Sequence, residues 1–163
     1  MTFIHDAPIY LVSCIAQKAD TRRHAAELYV SDWFRKARAF VETTRCRWFI
    51  LSAEHGLLPP DRPVDPYDAT LAAMGARGRR QWGARVAAQL DAALGKGYGG
   101  DLVFLAGKHY RTPLLEYAGD RACIPMEGLG IGQQKAWLAA RIAAARIDRN
   151  TGVVPPKNRA ILE

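Results

Sequence analysis

The stretch Ile9-Tyr-Leu-Val-Ser-Cys14 consists of four apolar residues followed by two small nucleophilic side chains. It shows no polar alternation and is too short for a helix, so it reads as a strand buried on both faces. Trp48-Phe-Ile-Leu-Ser52 and Asp101-Leu-Val-Phe-Leu-Ala106 repeat the pattern, and residues 122–125 give a shorter fourth strand. Helical spacing fills the intervals. Ser31 stands where it can cap a helix carrying Phe34, Ala37, Val41 and Thr44 on one face. Residues 70–74 read as a short helix, Trp82, Val86, Leu90 and Leu94 stripe a longer one, and residues 112–117 read as another. Ile131, Gln134, Leu138, Ile142 and Ala145 line a last helix. Fully apolar strands alternating with helices predict a three-layer α/β fold, a mostly parallel sheet of about four strands with helices on both faces. Ligands in such folds bind beyond the carboxyl ends of the strands. Those ends carry Ser13 and Cys14, Ser52, and Gly107.

A chain of 163 residues fits one domain. We expect it over residues 1–150, with 151–163 as a C-terminal tail. No apolar run approaches the roughly eighteen residues of a membrane span, and the first residues lack a secretory signal's pattern. The expected location is cytoplasmic, with no membrane partner. Three cysteines without metal-ligand spacing predict reduced thiols, no disulfide framework and no metal, and no cofactor motif is present. Lys and Arg number 23 against 16 Asp and Glu, a formal charge of +7, and most of the cations are arginine. Arginine's planar fork suits phosphate, so a nucleic-acid partner is expected, its backbone held by Arg and Lys.

Leu51-Ser-Ala-Glu-His-Gly-Leu-Leu-Pro-Pro-Asp-Arg-Pro-Val-Asp-Pro-Tyr-Asp68 leaves the second strand on turn formers and charges. Neighbours on a strand face opposite ways, so only one of Glu54 and His55 turns to a site at its exit. The prolines stiffen the remainder into an arm able to carry Tyr67 and Asp68 back over the strand end. Asp68 can act as acid or base, or cap the helix after Thr70. Cys14, with Lys18 four residues on, can be an activated nucleophile or a small buried filler. Glu127-Gly-Leu-Gly-Ile-Gly132 sets Gly128, Gly130 and Gly132 before the last helix, as an anion or base cradle or a plain tight turn. Gln133 either reads a base edge or solvates the helix start. Of the basic residues, Arg77, Arg79, Arg80 and Arg85 flank Trp82, which reads as core.

Ser13-Cys14 with Lys18, Leu28-Tyr-Val-Ser-Asp-Trp-Phe34, Ile50-Leu-Ser-Ala-Glu-His-Gly-Leu57, Asp65-Pro-Tyr-Asp68, Leu105-Ala-Gly107 with Tyr110, and Glu127-Gly-Leu-Gly-Ile-Gly-Gln133 together resemble a small family of bacterial and phage proteins over roughly residues 9–142. The segment from Leu51 is also distantly similar to the YaaA peroxide-stress proteins, which bind DNA through a helical insertion this chain is too short to hold. Ser-Cys-x-x-x-Lys with Tyr29 is similar to the motif of archaeosine synthases, with Ser13 in place of proline and Tyr29 further from the lysine. These resemblances imply action on a modified nucleobase, and the smaller family includes a candidate antiphage glycosylase of hypermodified cytosine. The expected function is therefore a DNA N-glycosylase. Asp68 is the first candidate for the catalytic carboxylate, followed by Asp65 and Glu127. His55, Tyr67 and Tyr29 stack on or bond the base, and Lys18 binds phosphate. Ser13, Ser52, Gly107, Tyr110 and Gly128 to Gly132 shape the pocket. The alternatives are a Cys14-dependent nucleobase transferase and a non-catalytic reader of modified nucleic acid.

Overall fold

The computed structural model describes residues 6–14 and 17–151. Ile9–Ser13 (β1), Trp48–Ser52 (β3) and Leu102–Leu105 (β6) are buried along their whole length. They are the three apolar runs expected to be strands. β1 lies between β3 and β6 and is parallel to both, with Val12 opposite Ile50 on one side and Leu105 on the other. Ala122–Cys123 (β7) adds a parallel edge beside β6.

The fifth strand was not read from the sequence. Gly56–Leu58 (β4) turns back antiparallel on β3, giving the order β4-β3-β1-β6-β7. Gly56 makes the reversal possible, with φ at +69° in the left-handed region that side chains disfavour. Gln89 then clamps the hairpin, its Oε1 accepting from the Leu57 amide at 2.8 Å and its Nε2 donating to the His55 carbonyl at 3.2 Å. Strand propensity does not reveal a three-residue strand that is paired on one side only and clamped by a helix side chain.

Alternate residues of each strand face opposite layers. Tyr10, Val12, Ile50, Val103 and Leu105 meet Ala25–Leu28 (α1), Asp32–Thr44 (α2) and Ile131–Thr151 (α5). Leu11, Phe49, Leu51, Leu102 and Phe104 meet Gly75–Leu94 (α3) and Lys108–Ala118 (α4). The fold is thus three-layer α/β with helices on both faces of a mostly parallel sheet. Ser31 caps α2 as expected, its Oγ accepting from the Phe34 amide at 3.1 Å. α3 and α4 approach closely at Gly83, where a Cβ would sit 2.7 Å from the Pro113 carbonyl oxygen.

Three helix readings need correction. Residues 70–74 hold a 3-10 turn over Ala72–Met74, with Leu71 at its start and no side-chain cap. The helix read at residues 112–117 begins at Lys108, because Gly107 opens it and Pro113 falls in its second turn rather than ending it. Ile131 is 59% exposed rather than on the packed face. Trp33 Nε1 of α2 donates to Gln134 Oε1, three residues further on, at 2.8 Å. Beyond it Leu138 is fully buried, and Trp137 packs edge-on against Phe40 at 5.3 Å. Of the expected tail, residues 152–163 lie outside the described residues, and α5 runs on to Thr151.

Candidate functional site

From β1 the chain passes to α1 and α2 on one face of the sheet, whereas from β6 it enters α4 on the other. Between the carboxyl ends of β1 and β6 the loops therefore diverge, which is where open α/β sheets hold their ligands. Ser13 and Gly107 face each other across this gap, the Gly107 amide donating to Ser13 Oγ at 3.4 Å. Cys14 Sγ lies 3.2 Å from the Tyr110 hydroxyl on the first turn of α4. Gly107 has φ −63°, ordinary for any residue, and a Cβ there would meet nothing within 4 Å. Neither conformation nor packing requires glycine there, and Gly107 is exposed.

The arm after β4 does return over the strand ends. Its Pro63–Val64 (β5) pairs antiparallel with Arg23–His24 (β2), and Arg22 bonds Asp65 at 2.9 Å. The Ala25 and Ala26 amides donate to the Arg62 and Pro60 carbonyls at 2.9 and 2.8 Å. Anchored in this way, the arm delivers Tyr67. Ser52 Oγ donates to its hydroxyl at 2.7 Å, and the Tyr29 hydroxyl lies 2.5 Å from the same oxygen. Lys18, bridged to Tyr29 through the backbone, sets its Nζ 4.4 Å from the centre of the Tyr67 ring. His55 meets that ring edge-on at 5.4 Å, while Glu54 is exposed, so of the adjacent pair His55 alone turns toward the site.

Burial is the main reason the hydroxyls of Tyr29, Tyr67 and Tyr110 titrate far above the usual phenol range, with the Cys14 sulfur adding to it. All three are protonated at any physiological pH. His55 moves the other way. Burial disfavours its imidazolium, and Arg62 and Arg85 push in the same direction against Glu54. With the folded pKa below the unfolded one, the unfolded chain takes up this proton first as pH falls. The stability contributed by neutral His55 is fully present above the unfolded value, about 6.5, and is lost as pH falls through the folded one. Thermal unfolding of wild type between pH 7.5 and 5 should therefore decline more steeply than that of His55→Gln. Parallel curves would remove His55 as the source.

The remaining candidates lie outside the hydroxyl cluster. Asp65 is committed to Arg22. Asp68 is exposed, caps no helix and makes no hydrogen bond or ion pair among the described residues, although it directly follows Tyr67. Glu127 is exposed in the turn after β7, with two strands between β7 and β3. Gly128 takes φ +79°, as a tight turn requires, and Cβ atoms at Gly128 and Gly132 would meet nothing within 4 Å. Gln133 accepts from the Gly130 amide at 3.0 Å, which satisfies the helix start. Among the basic residues, Arg79 and Arg85 donate to the Leu71 and Glu54 carbonyls, whereas Arg77, Arg80, Lys108 and His109 are exposed.

Sequence reasoning missed the part played by Trp82. It is core, as its position on the α3 stripe indicated, yet its Nε1 also donates to the Ser52 carbonyl at 2.8 Å and its ring meets Tyr110 edge-on at 5.7 Å. The residue joins two walls of the site. No signal in the local sequence distinguishes it from other buried tryptophans.

Among the described residues no group of three or more His, Cys, Asp or Glu side chains could hold a metal ion, and no helix is long and apolar enough to cross a membrane. Fold and side chains together define an α/β domain with a tyrosine-lined polar site at the switch point of its parallel sheet. The family model for DUF6884, a family of unknown function, matches residues 9–140, which span every strand and the whole hydroxyl cluster. The chain belongs to that family. No curated protein matches it.

Proposed function

We propose that this protein is a DNA N-glycosylase that removes a hypermodified base of the hydroxymethylcytosine type, in defence against phage carrying such DNA. The observation that carries the reading is the convergence of Ser52, Tyr29, Tyr67, Cys14 and Tyr110 at the switch point, with the carboxylate of Asp68, which has no partner among the described residues, directly after Tyr67. A glycosylase needs two environments side by side. One holds an extruded base by ring contacts and neutral hydrogen bonds, which the tyrosines and His55 supply. The other stabilises an oxocarbenium-like sugar with an ionised carboxylate, as in glycoside hydrolysis. Asp68, exposed beside the first environment, fits the second. Lys108, His109, Arg77 and Arg80 are exposed and free to meet phosphates.

The test is incubation of the protein with plain and hypermodified phage DNA, followed by assay of free base and alkali-labile sites. Release confined to the modified DNA supports the proposal. Binding without release favours a non-catalytic reader.

A second enzymatic reading is favoured by one contact, the Cys14 thiol 3.2 Å from the Tyr110 hydroxyl at the strand end. There Cys14 would attack an electrophilic base substituent, the transferase chemistry of the archaeosine synthase resemblance. For a glycosylase, Cys14→Ser keeps base release within about tenfold of wild type, since sulfur and oxygen differ mainly in size and hydrogen bonding at this position. Complete loss, with a thiol-dependent adduct trapped on wild type, would establish the transferase instead.

A further inference from the structure

Trp48 opens β3 and is 9% exposed, packed in the layer of α1 and α2. Buried tryptophans usually find an acceptor for the indole N–H, as Trp33 and Trp82 do in the Gln134 side chain and the Ser52 carbonyl. Trp48 Nε1 has no hydrogen-bond partner among the described residues, and yet no sealed side-chain nitrogen there is left without one. This N–H therefore reaches the outside through the small part of the indole that is exposed. Trp48 lines a cleft of about 220 Å³. Around it stand His24 at the end of β2, Glu27 on α1, Arg38 and Glu42 on α2, and Asp61 at the start of the arm. Trp48 precedes Ser52 by four residues, about 13 Å along an extended strand, so the cleft is separate from the tyrosine site. Within the lining Arg38 is already engaged, its Nε donating to Glu42 at 2.7 Å and its Nη1 to the Ala26 carbonyl at 3.0 Å. Glu27 and Asp61 are exposed and have no partner among the described residues. In a protein of formal charge +7, two uncompensated carboxylates beside an unused N–H donor are a local reversal that favours a cation over a polyanion.

We propose that this cleft binds a lysine or arginine residue, whose side-chain cation meets Glu27 and Asp61 while its own carbonyl oxygen accepts from the Trp48 N–H. Both halves of that ligand are needed. A simple amine brings a cation but no acceptor for the indole, and a nucleotide would set its phosphates against the two carboxylates. The size agrees, because roughly 150 Å³ already holds a benzene-sized molecule, and the cleft therefore admits one residue rather than a folded element. Two sources share this chemistry, a free amino acid and a peptide segment of another protein. The site does not depend on the glycosylase reading.

Nuclear magnetic resonance on protein with labelled indole nitrogens tests this directly. The four tryptophans give four N–H signals, and Trp48→Phe identifies the one from Trp48. On titration with N-acetyl-lysine amide or N-acetyl-arginine amide, that signal should move and saturate, with a Kd on the order of 1 mM for so few non-hydrogen atoms. The other three should stay in place. N-acetyl-norleucine amide keeps the carbonyl without the cation, and butylamine keeps a cation without the carbonyl. Each should bind at least about tenfold more weakly, the effect of one lost charged hydrogen bond or its neutral counterpart. The double variant Glu27→Gln, Asp61→Asn alters only exposed side chains, so it should fold normally, as thermal unfolding verifies, and bind the lysine compound no better than the norleucine one. A Trp48 signal that stays in place far above that Kd overturns the proposal. So does equal binding of the lysine and norleucine compounds by wild type, or undiminished binding of lysine amide by the double variant. Tighter binding of a blocked Ala-Lys-Ala peptide supports the site with a protein segment as its source, and tighter binding of free lysine supports it with a free amino acid.

Discussion

Asp68→Asn is expected to lower base release by roughly 10³-fold, about 4 kcal/mol of transition-state stabilisation, with the fold unaffected. The substitution removes only charge. An oxocarbenium-like sugar is stabilised by an ionised carboxylate far better than by a neutral amide of the same shape. Because Asp68 is exposed, caps nothing and has no partner among the described residues, stability should stay within about 0.5 kcal/mol of wild type. Binding of modified DNA should persist. Single-turnover release and thermal unfolding, measured on the same preparation, separate these effects. Undiminished release would take Asp68 out of the mechanism and turn attention to Glu127, since Asp65 is held by Arg22.

Trp82→Ala should have the largest effect on stability, about 3 to 5 kcal/mol in urea unfolding. The indole is 4% exposed, and its removal opens a cavity between α3 and the sheet. It also withdraws the donor to the Ser52 carbonyl and the ring beside Tyr110. Trp82→Phe is the informative companion, because it refills most of the cavity yet supplies no donor. It should recover most of the stability while losing one hydrogen bond to the Ser52 carbonyl, about 0.5 to 1.5 kcal/mol. If the alanine variant loses less than about 1 kcal/mol, Trp82 does not brace the site.

How much of the site was legible depended on whether a residue's position followed from the strand pattern. Ser13, Cys14, Ser52 and Gly107 were placed because they terminate uninterrupted apolar runs, and parallel strands bring such ends to one edge. His55 was narrowed from a pair by strand alternation, and the hairpin at Gly56 then turned its ring to Tyr67. Tyr67 was foreseen on a returning arm. What holds the arm was not foreseen, since β2 and β5 are two residues each and pair across about forty positions of sequence. The choice between cap and free carboxylate at Asp68 turned on where a helix begins, and the 3-10 turn starting at Leu71 removed the cap.

The sequence by itself determined the layers. Burial on both faces demands unbroken apolar strands, and helical spacing between them leaves no other arrangement that covers such a sheet. Only the tertiary structure decided that β1 lies between β3 and β6, and hence that Cys14 meets Tyr110 across 96 positions of chain. It alone also brought Tyr29, Tyr67 and Ser52 within hydrogen-bonding distance. Strand order and long-range polar contacts arise from how elements dock and how buried donors find acceptors. No local run of residues encodes either.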